Sequence, residues 1–325
     1  MNTLTPAFKA TLTVEPGLNG LRVDTFLARH FRNYTTWRIQ RLIRRGAVTT
    51  RQAQADISRR VFSGEQVTVR LLEPPDKLYD AETVPLDVVF EDPWLMIVDK
   101  PAGMIAHPVG RFQSGTLANA VQWHLDQQTE RPGLLRPGIV HRLDRMTSGL
   151  MAIAKEHVAH RRLCSDFRNN RVARTYLAVV EGQPTDDHGT IDFPIGFLPG
   201  GGSVLMSASR YAIRPRSAKT QFEVITRGKS VSLLRIRPAT GRNHQIRVHL
   251  AAIGHPLVGD EYYAAHGQIR EPGKHDDQSE AKSGTRQGLH ASELVLLHPI
   301  TREWMQFQNE LPGDLSHHLH SPPVC

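Results

Sequence analysis

His141-Arg142-Leu143-Asp144-Arg145-Met146-Thr147-Ser148-Gly149 sets one carboxylate among three cationic or potentially cationic side chains and closes in small residues. An unpaired charge is strongly disfavoured in a protein interior, so a packed core would not select this composition. A reactive carboxylate in an anion-binding cleft would. Thr147-Ser148-Gly149 reads as a turn, and the apolar residues 150–154 after it read as a strand. A carboxylate on a loop beside a rigid strand can be aimed into a cleft. Taken alone, the run also fits an aspartate that caps a turn or pairs with Arg142.

A second constellation lies downstream. Residues 233–238 lead into Ala239-Thr240-Gly241-Arg242-Asn243-His244-Gln245-Ile246-Arg247-Val248-His249-Leu250. Thr240-Gly241 suits a tight turn, and Asn243 is expected to cap a helix over 244–253. On that helix Ile246, Leu250 and Ile253 form the buried stripe. Arg247 lies at its border, where it can enter a cleft and hold Asp144 ionised. The spacing fits a surface arginine on an amphipathic helix equally well. Gly254-His255-Pro256 ends the helix.

Alternation along a strand at 176–180 puts Tyr176, Ala178 and Val180 on one face, where a phenol can stack on a base or simply pack. Val98-Asp99-Lys100-Pro101-Ala102-Gly103 forces a turn after a strand and reads as support for the cleft. Further strands are expected over 94–98, 219–225 and 231–237, and a helix over 157–168. The pattern is α+β without βαβ regularity. A glycine-rich stretch (199–203) and a polar stretch (265–288) read as loop insertions.

The 325 residues, 39% hydrophobic and 22% charged, are those of an ordinary globular chain with a net charge of +8. Residues 21–70 carry that whole excess, with eleven arginines against Asp24, Asp56 and Glu65. So focused a field attracts a polyanion, nucleic acid before an anionic membrane surface. Within this module a short helix begins near Leu21. A second, over 37–45, gathers Ile39, Leu42 and Ile43 on one side and Arg38, Arg41 and Arg45 on the other, and Gly46 stops it. Strands are expected at 47–50 and 66–71. Residues 73–77 form a proline-rich break. No run approaches a membrane span, and no apolar leader is present. Cys164 and Cys325 have neither disulfide-framework nor metal-site spacing, and a reducing cytoplasm is the simplest compartment. The 17 histidines form no metal-binding pattern, and His317, His318 and His320 read as a disordered tail cluster.

Lys100-Pro101-Ala102-Gly103, His141 to Gly149, Arg174-Thr175-Tyr176 and Gly241 to Arg247 resemble, in order, the successive motifs of RluA-type pseudouridine synthases. Leu289-His290-Ala291 with His298-Pro299 resembles that family's C-terminal signature. The basic module resembles the S4 RNA-binding domain, with Thr35-Thr36-Trp37 and Val48-Thr49-Thr50-Arg51 departing from its usual flanking residues. The resemblance covers about residues 20–312. Asn243 stands where the family usually has threonine.

The resemblance implies a pseudouridine synthase fold, a large mixed and mostly antiparallel sheet with flanking helices and a central cleft, behind a small α+β S4-like domain. The expected boundaries are 14–72 for the RNA-binding domain, 73–84 for a linker, 85–315 for the catalytic domain and 316–325 for a tail. Asp144 would be the catalytic aspartate, as nucleophile or as base. Arg247 would pair with it, and Tyr176 would stack on the uracil and assist proton transfer. Arg142 would fill the gap left by the flipped nucleotide, while Arg38, Arg41 and Arg45 would lie on RNA phosphates. No metal or organic cofactor is implied. The expected protein is a cytoplasmic monomer acting on large-subunit ribosomal RNA, with transfer RNA as the alternative target. A non-catalytic RNA-binding protein would leave Asp144, Tyr176 and Arg247 unexplained. A glycoside hydrolase would need a second acidic group opposite the first.

Overall fold

A computed structural model of the chain describes residues 8–31, 34–51, 53–71, 79–110, 112–128, 137–202, 204–270 and 286–320. The proline-rich break at 73–77, most of the polar insertion and residues 321–325 lie outside the described residues. Two compact units are present. One takes described residues within 1–85, 107–139 and 153–162, and the other within 86–106, 140–152 and 163–325.

The first unit contains β1 (Phe8–Thr13), α1 (Val23–His30), α2 (Thr36–Arg44), β2 (Val48–Thr50), β3 (Ala53–Gln54) and β4 (Gln66–Leu71), with the strands ordered β1-β4-β2-β3. Helix α2 begins where Thr35 Oγ1 accepts the Arg38 amide at 3.1 Å, and it ends at Gly46 with φ +72°. Its Ile39, Leu42 and Ile43 join Phe26, Leu27, Val48, Val67 and Val69 in one apolar core. Buried Asp24 ties α1 to α2 by accepting from Arg22, from the Thr25 amide and from Gln40 Nε2 at 2.8 Å. Burial pushes the Asp24 pKa upward, yet the bonds from Gln40 and Arg22 outweigh it and hold the carboxyl below its usual value.

Along the chain follow β5 (Asp87–Glu91), β6 (Leu95–Lys100), α3 (Leu117–Asp126), β7 (Gly138–Ile139), β8 (Ser148–Ala154), α4 (His157–Arg168) and β9 (Ala173–Glu181). Then come β10 (His188–Ile191), β11 (Ile195–Phe197), β12 (Met206–Ser207), β13 (Ile213–Arg216), β14 (Thr220–Arg227) and β15 (Val231–Pro238). Helix α5 (Gln245–Ala252), β16 (Leu289–Leu297), β17 (Trp304–Gln308) and α6 (Gly313–His320) complete the order. Sequence periodicity did not register α3, which a reciprocal cap between Thr116 and Asn119 initiates in the first unit.

The main sheet is mixed and mostly antiparallel, ordered β10-β14-β15-β9-β16-β8-β6-β5, with β17 beside β16 and β7 beside β8. Strand β16 runs parallel to β8 and antiparallel to β9. Gly149, the last residue of the Asp144 run, makes the parallel pairing possible. Its φ is +116°, and a Cβ there would lie 2.3 Å from the Ala291 carbonyl oxygen. A smaller sheet, β12-β11-β13, holds the glycine-rich insertion in one of its turns.

Three expectations are corrected. The expected tail is helical through His320, because Leu315 is fully buried and anchors α6. Helix α5 begins after His244, not at a capping Asn243, and His244 takes a left-handed conformation there. Finally, α5 is not amphipathic. Residues 245–251 are all buried, while Ile253 is only half-buried, so Arg247 lies inside the unit instead of at a helix border.

Candidate active site

The loop carrying Asp144 is held by backbone contacts on several sides. The Gly103 amide donates to the Arg145 carbonyl at 2.8 Å. Lys100 Nζ donates to the carbonyls of Pro101, Met104 and Arg145 at 2.7, 3.0 and 3.2 Å. Arg286 Nη1 reaches the Met146 carbonyl at 3.4 Å, and Gln287 donates to Thr147 Oγ1. Three carbonyls match the three protons of an ammonium, although burial draws the fully enclosed Lys100 down to about 7. The Asp144 charge opposes that shift, and Arg286 adds to it. The turn at 100–103 is thus part of the mounting of Asp144, as the sequence suggested.

Helix α5 tolerates full burial because each of its polar side chains has a fixed partner. Gln245 Nε2 donates to Thr220 Oγ1 at 3.0 Å, and Thr220 in turn donates to His249 Nδ1 at 2.9 Å. His249 Nε2 donates to the Phe193 carbonyl at 2.9 Å. This direction follows from the carbonyl, which can only accept. Burial lowers the His249 pKa, consistent with a neutral ring. Gln245 Oε1 also accepts from Thr240 Oγ1 and from the Arg242 amide, closing the turn before the helix.

On this anchored helix Arg247, 3% exposed, points its fork at two carboxylates. Nε and Nη2 bind Asp260 at 2.8 Å each, and Nη1 reaches Asp144 Oδ2 at 3.4 Å. Burial alone would lower the Arg247 pKa, but the hydrogen bonds and charge of Asp260, then the charge of Asp144, carry it above its usual value. Asp260 is itself clamped by the amides of Tyr262 and Tyr263. The guanidinium carbon lies 5.2 and 5.1 Å from the ring centres of those tyrosines. The Asp144 side chain keeps 22% exposure, whereas Asp260 keeps none. One carboxylate therefore orients the arginine, and the other faces the cleft.

That cleft encloses about 740 Å³ and is lined by Asp144, Tyr176, Arg247, His244 and the expected Arg142. Arg168, Arg174, Arg216 and Arg242 add to its cationic wall. Tyr176 sits on β9 between Ile236 of β15 and Ala291 of β16. Burial raises its pKa, Arg174 opposes the rise and Asp144 adds to it, so the phenol keeps its proton. Beside it His141 stacks on Phe167 at 4.4 Å, accepts the Ala152 amide through Nε2, and is drawn down to about 3 by burial and then by Arg174. The motif histidine is a neutral structural ring, not a cation. Arg38, Arg41 and Arg45 belong to the other unit, where Arg38 lies over Tyr34 and Arg41 over the exposed Trp37. Among the described residues no three histidine, cysteine, aspartate or glutamate side chains are placed to hold a metal ion. Likewise, no helix among them is long and apolar enough to cross a membrane.

Sequence reasoning missed Asp260, Tyr263 and His244 as parts of the site. Asp260 follows Arg247 by thirteen residues across a turn, a separation without helical or strand periodicity. The available signal was Gly259-Asp260. Gly259 has φ +67°, and a Cβ there would fall 2.4 Å from the Arg286 carbonyl oxygen.

Residues 94–252 match the family model described as RNA pseudouridylate synthase. A ribosomal large subunit pseudouridine synthase D of Zymomonas mobilis is 35% identical over 317 residues, covering 95% of this chain and 96% of its own. That of Nitrosomonas europaea is 37% identical over 311 residues, covering 94% and 85%. An RNA pseudouridine synthase of Bacillus subtilis, described as uncharacterized, is 36% identical over 295 residues, covering 91% and 92%. Among solved structures, Human RNA Pseudouridylate Synthase Domain Containing 4 superposes with a TM-score of 0.55 at 25% identity, over 72% of this chain and 92% of that one. Similarity at this level across almost the whole length, together with a carboxylate and an arginine brought into one cleft from the motifs at 141–149 and 241–247, makes the chain a member of the RNA pseudouridylate synthase family, an isomerase of uridine in RNA.

Proposed function

We propose that this enzyme isomerises uridines of large-subunit ribosomal RNA and that Asp144 is its catalytic carboxylate. The observation that carries the assignment of Asp144 is the division of labour around Arg247, in which buried Asp260 takes two donors of the fork and partly exposed Asp144 takes one. The ribosomal target follows the similarity to several proteins described as ribosomal large subunit pseudouridine synthase D.

The reaction breaks the bond between N1 of uracil and C1′ of ribose, leaving the electron pair on the base. The base turns, C5 bonds to C1′, the C5 proton departs, and N1 takes up a proton, so that the product is an isomer of the substrate. Asp144 acts at the sugar or at the base from the position where Arg247 holds it. Tyr176 supplies the stacking surface that retains the detached uracil. Reaching the bond requires extruding the nucleotide from its helix, and exposed Arg142 at the cleft fills the space it leaves. Residues 14–72 form the module that captures RNA phosphates through Arg38, Arg41 and Arg45, 73–84 the linker, and 85–315 the catalytic part. The enzyme is read as a monomer, and a ribosomal substrate assigns it to the cytoplasm.

The test is Asp144→Asn, assayed for RNA affinity and for pseudouridine in large-subunit ribosomal RNA. Affinity should stay near wild type while product disappears. Undiminished product would overturn the role of Asp144, and product confined to transfer RNA would overturn the target.

A further inference from the structure

His244 has no role in the mechanism above, yet it is the residue at which α5 turns into the cleft. It adopts φ +52° and ψ +20°, a left-handed conformation that non-glycine residues take at a cost of about 1 kcal/mol or more. Its ring is half-buried, stacks at 13° to Tyr262 with centres 6.2 Å apart, and lines the cleft. Such a conformation persists where the surroundings hold it, and the holding contact is explicit here. Tyr263, 1% exposed, places its hydroxyl 2.7 Å from His244 Nδ1 and 3.0 Å from the Met206 amide nitrogen.

The direction of these two bonds is determined. The Met206 N–H can only donate, so the Tyr263 oxygen accepts it. The hydroxyl proton then has one acceptor among the described residues, His244 Nδ1. An Nδ1–H ring would donate to the same oxygen and leave that proton buried without a partner. Burial lowers the His244 pKa and keeps the ring uncharged, with Asp144 opposing that shift and Arg247 adding to it. The single ring proton therefore sits on Nε2. Nε2 has no hydrogen-bond partner among the described residues, nor is it among their enclosed unpartnered atoms.

We propose that His244 is a substrate-contacting residue whose Nε2–H, set by the relay from Met206 through Tyr263, donates a hydrogen bond to a carbonyl oxygen of the uracil. This rests on the reading of the cleft as the uridine site. When the N1–C1′ bond breaks, the electron pair left on the base spreads onto its carbonyl oxygens. A fixed neutral donor strengthens its bond as that charge appears. It also leaves the charge balance between Arg247 and Asp144 undisturbed, which an imidazolium would upset by pairing with Asp144. Tyr263 is a positioning residue in this scheme, acting through the tautomer of His244.

The experiment uses the full chain and an unmodified transcript of bacterial large-subunit ribosomal RNA carrying tritium at uridine C5, whose release follows C5–C1′ bond formation. Single-turnover rate and RNA affinity are measured for wild type, His244→Phe, His244→Gln and Tyr263→Phe. His244→Phe should lose about 100-fold in rate, the scale for removing one donor to a developing oxyanion, with affinity within about threefold. His244→Gln, which keeps an amide N–H near the same place, should recover about tenfold of that loss. In the ¹⁵N spectrum the wild-type ring should be protonated at Nε2, and Tyr263→Phe should move it toward a mixture of tautomers. A wild-type rate in His244→Phe, equal losses in the Phe and Gln variants, loss of RNA affinity in step with rate, or an Nδ1–H ring in wild type would each overturn the proposal. If the wild type acts only on a transfer RNA transcript, the ribosomal target fails, and the same comparison on that transcript still decides His244.

Discussion

Arg247 binds Asp260 through two donors at 2.8 Å and reaches Asp144 through one at 3.4 Å. The tighter carboxylate is the one without exposure, so the arginine's orientation is decided away from the cleft. A planar guanidinium held along one edge presents its remaining donor at a fixed angle.

Removing that hold should be more damaging than the distance from the cleft suggests. Asp260→Ala leaves a buried guanidinium without its main partner, which destabilises by about 3–5 kcal/mol. It also lets the fork shift, for which about 100-fold in single-turnover rate is expected. Urea unfolding and tritium release measure the two effects separately. Arg247→Lys should fail similarly in rate, because an ammonium cannot make the paired bonds.

Lys100 links pH to stability. Its folded pKa of about 7 lies below the unfolded value near 10.5. Between those values the unfolded chain binds more protons, so stability rises with pH by at most about 1.4 kcal/mol per unit. Below about 7 both states are protonated and the contribution is flat. The stability of wild type relative to Lys100→Met should therefore climb from about pH 7 to 10.5. Urea titrations at half-unit intervals check this, and a difference that falls over that range would reject it. Loss of the three carbonyl bonds should also loosen the Asp144 loop and slow turnover about tenfold.

Gly149→Ala should destabilise by about 3–5 kcal/mol, since the new Cβ meets the Ala291 backbone on the neighbouring strand and φ is +116°. The expected readout is a large fall in urea midpoint, with Gly20→Ala as the control for a positive φ without a clash.

Replacing Arg38, Arg41 and Arg45 together by alanine should weaken RNA binding. The slope of log affinity against log salt should flatten by about 0.7–0.9 for each phosphate that is no longer neutralised. The rate at saturating RNA should stay within about twofold. An unchanged salt slope would remove these arginines from the RNA surface.

The elements easiest to read in the sequence were those whose burial follows a simple period. Helix α2 keeps Ile39, Leu42 and Ile43 on one side and was expected within a residue of its ends. Strands β8 and β9 announced themselves by apolar and alternating runs. Helix α6 escaped because its sequence is polar and one leucine does the anchoring. Helix α5 was found but misoriented. Gln245, Arg247 and His249 look solvent-facing by composition, yet each is buried against a partner from elsewhere in the chain.

By itself the sequence determined the residue kinds that could do the chemistry and the local elements that carry them. The motifs that carry Asp144, Tyr176 and Arg247 were legible because such runs are short and local, as are turns and strands, and it was their resemblance to a family that made those three residues candidates. Only the tertiary structure decided which carboxylate Arg247 serves first, which tautomer His244 holds, and that β9 lies between strands β15 and β16. The reason is physical. Propensity and periodicity act over a few residues, whereas hydrogen bonds of buried polar groups are satisfied by whatever the fold brings within about 3 Å, at any separation along the chain.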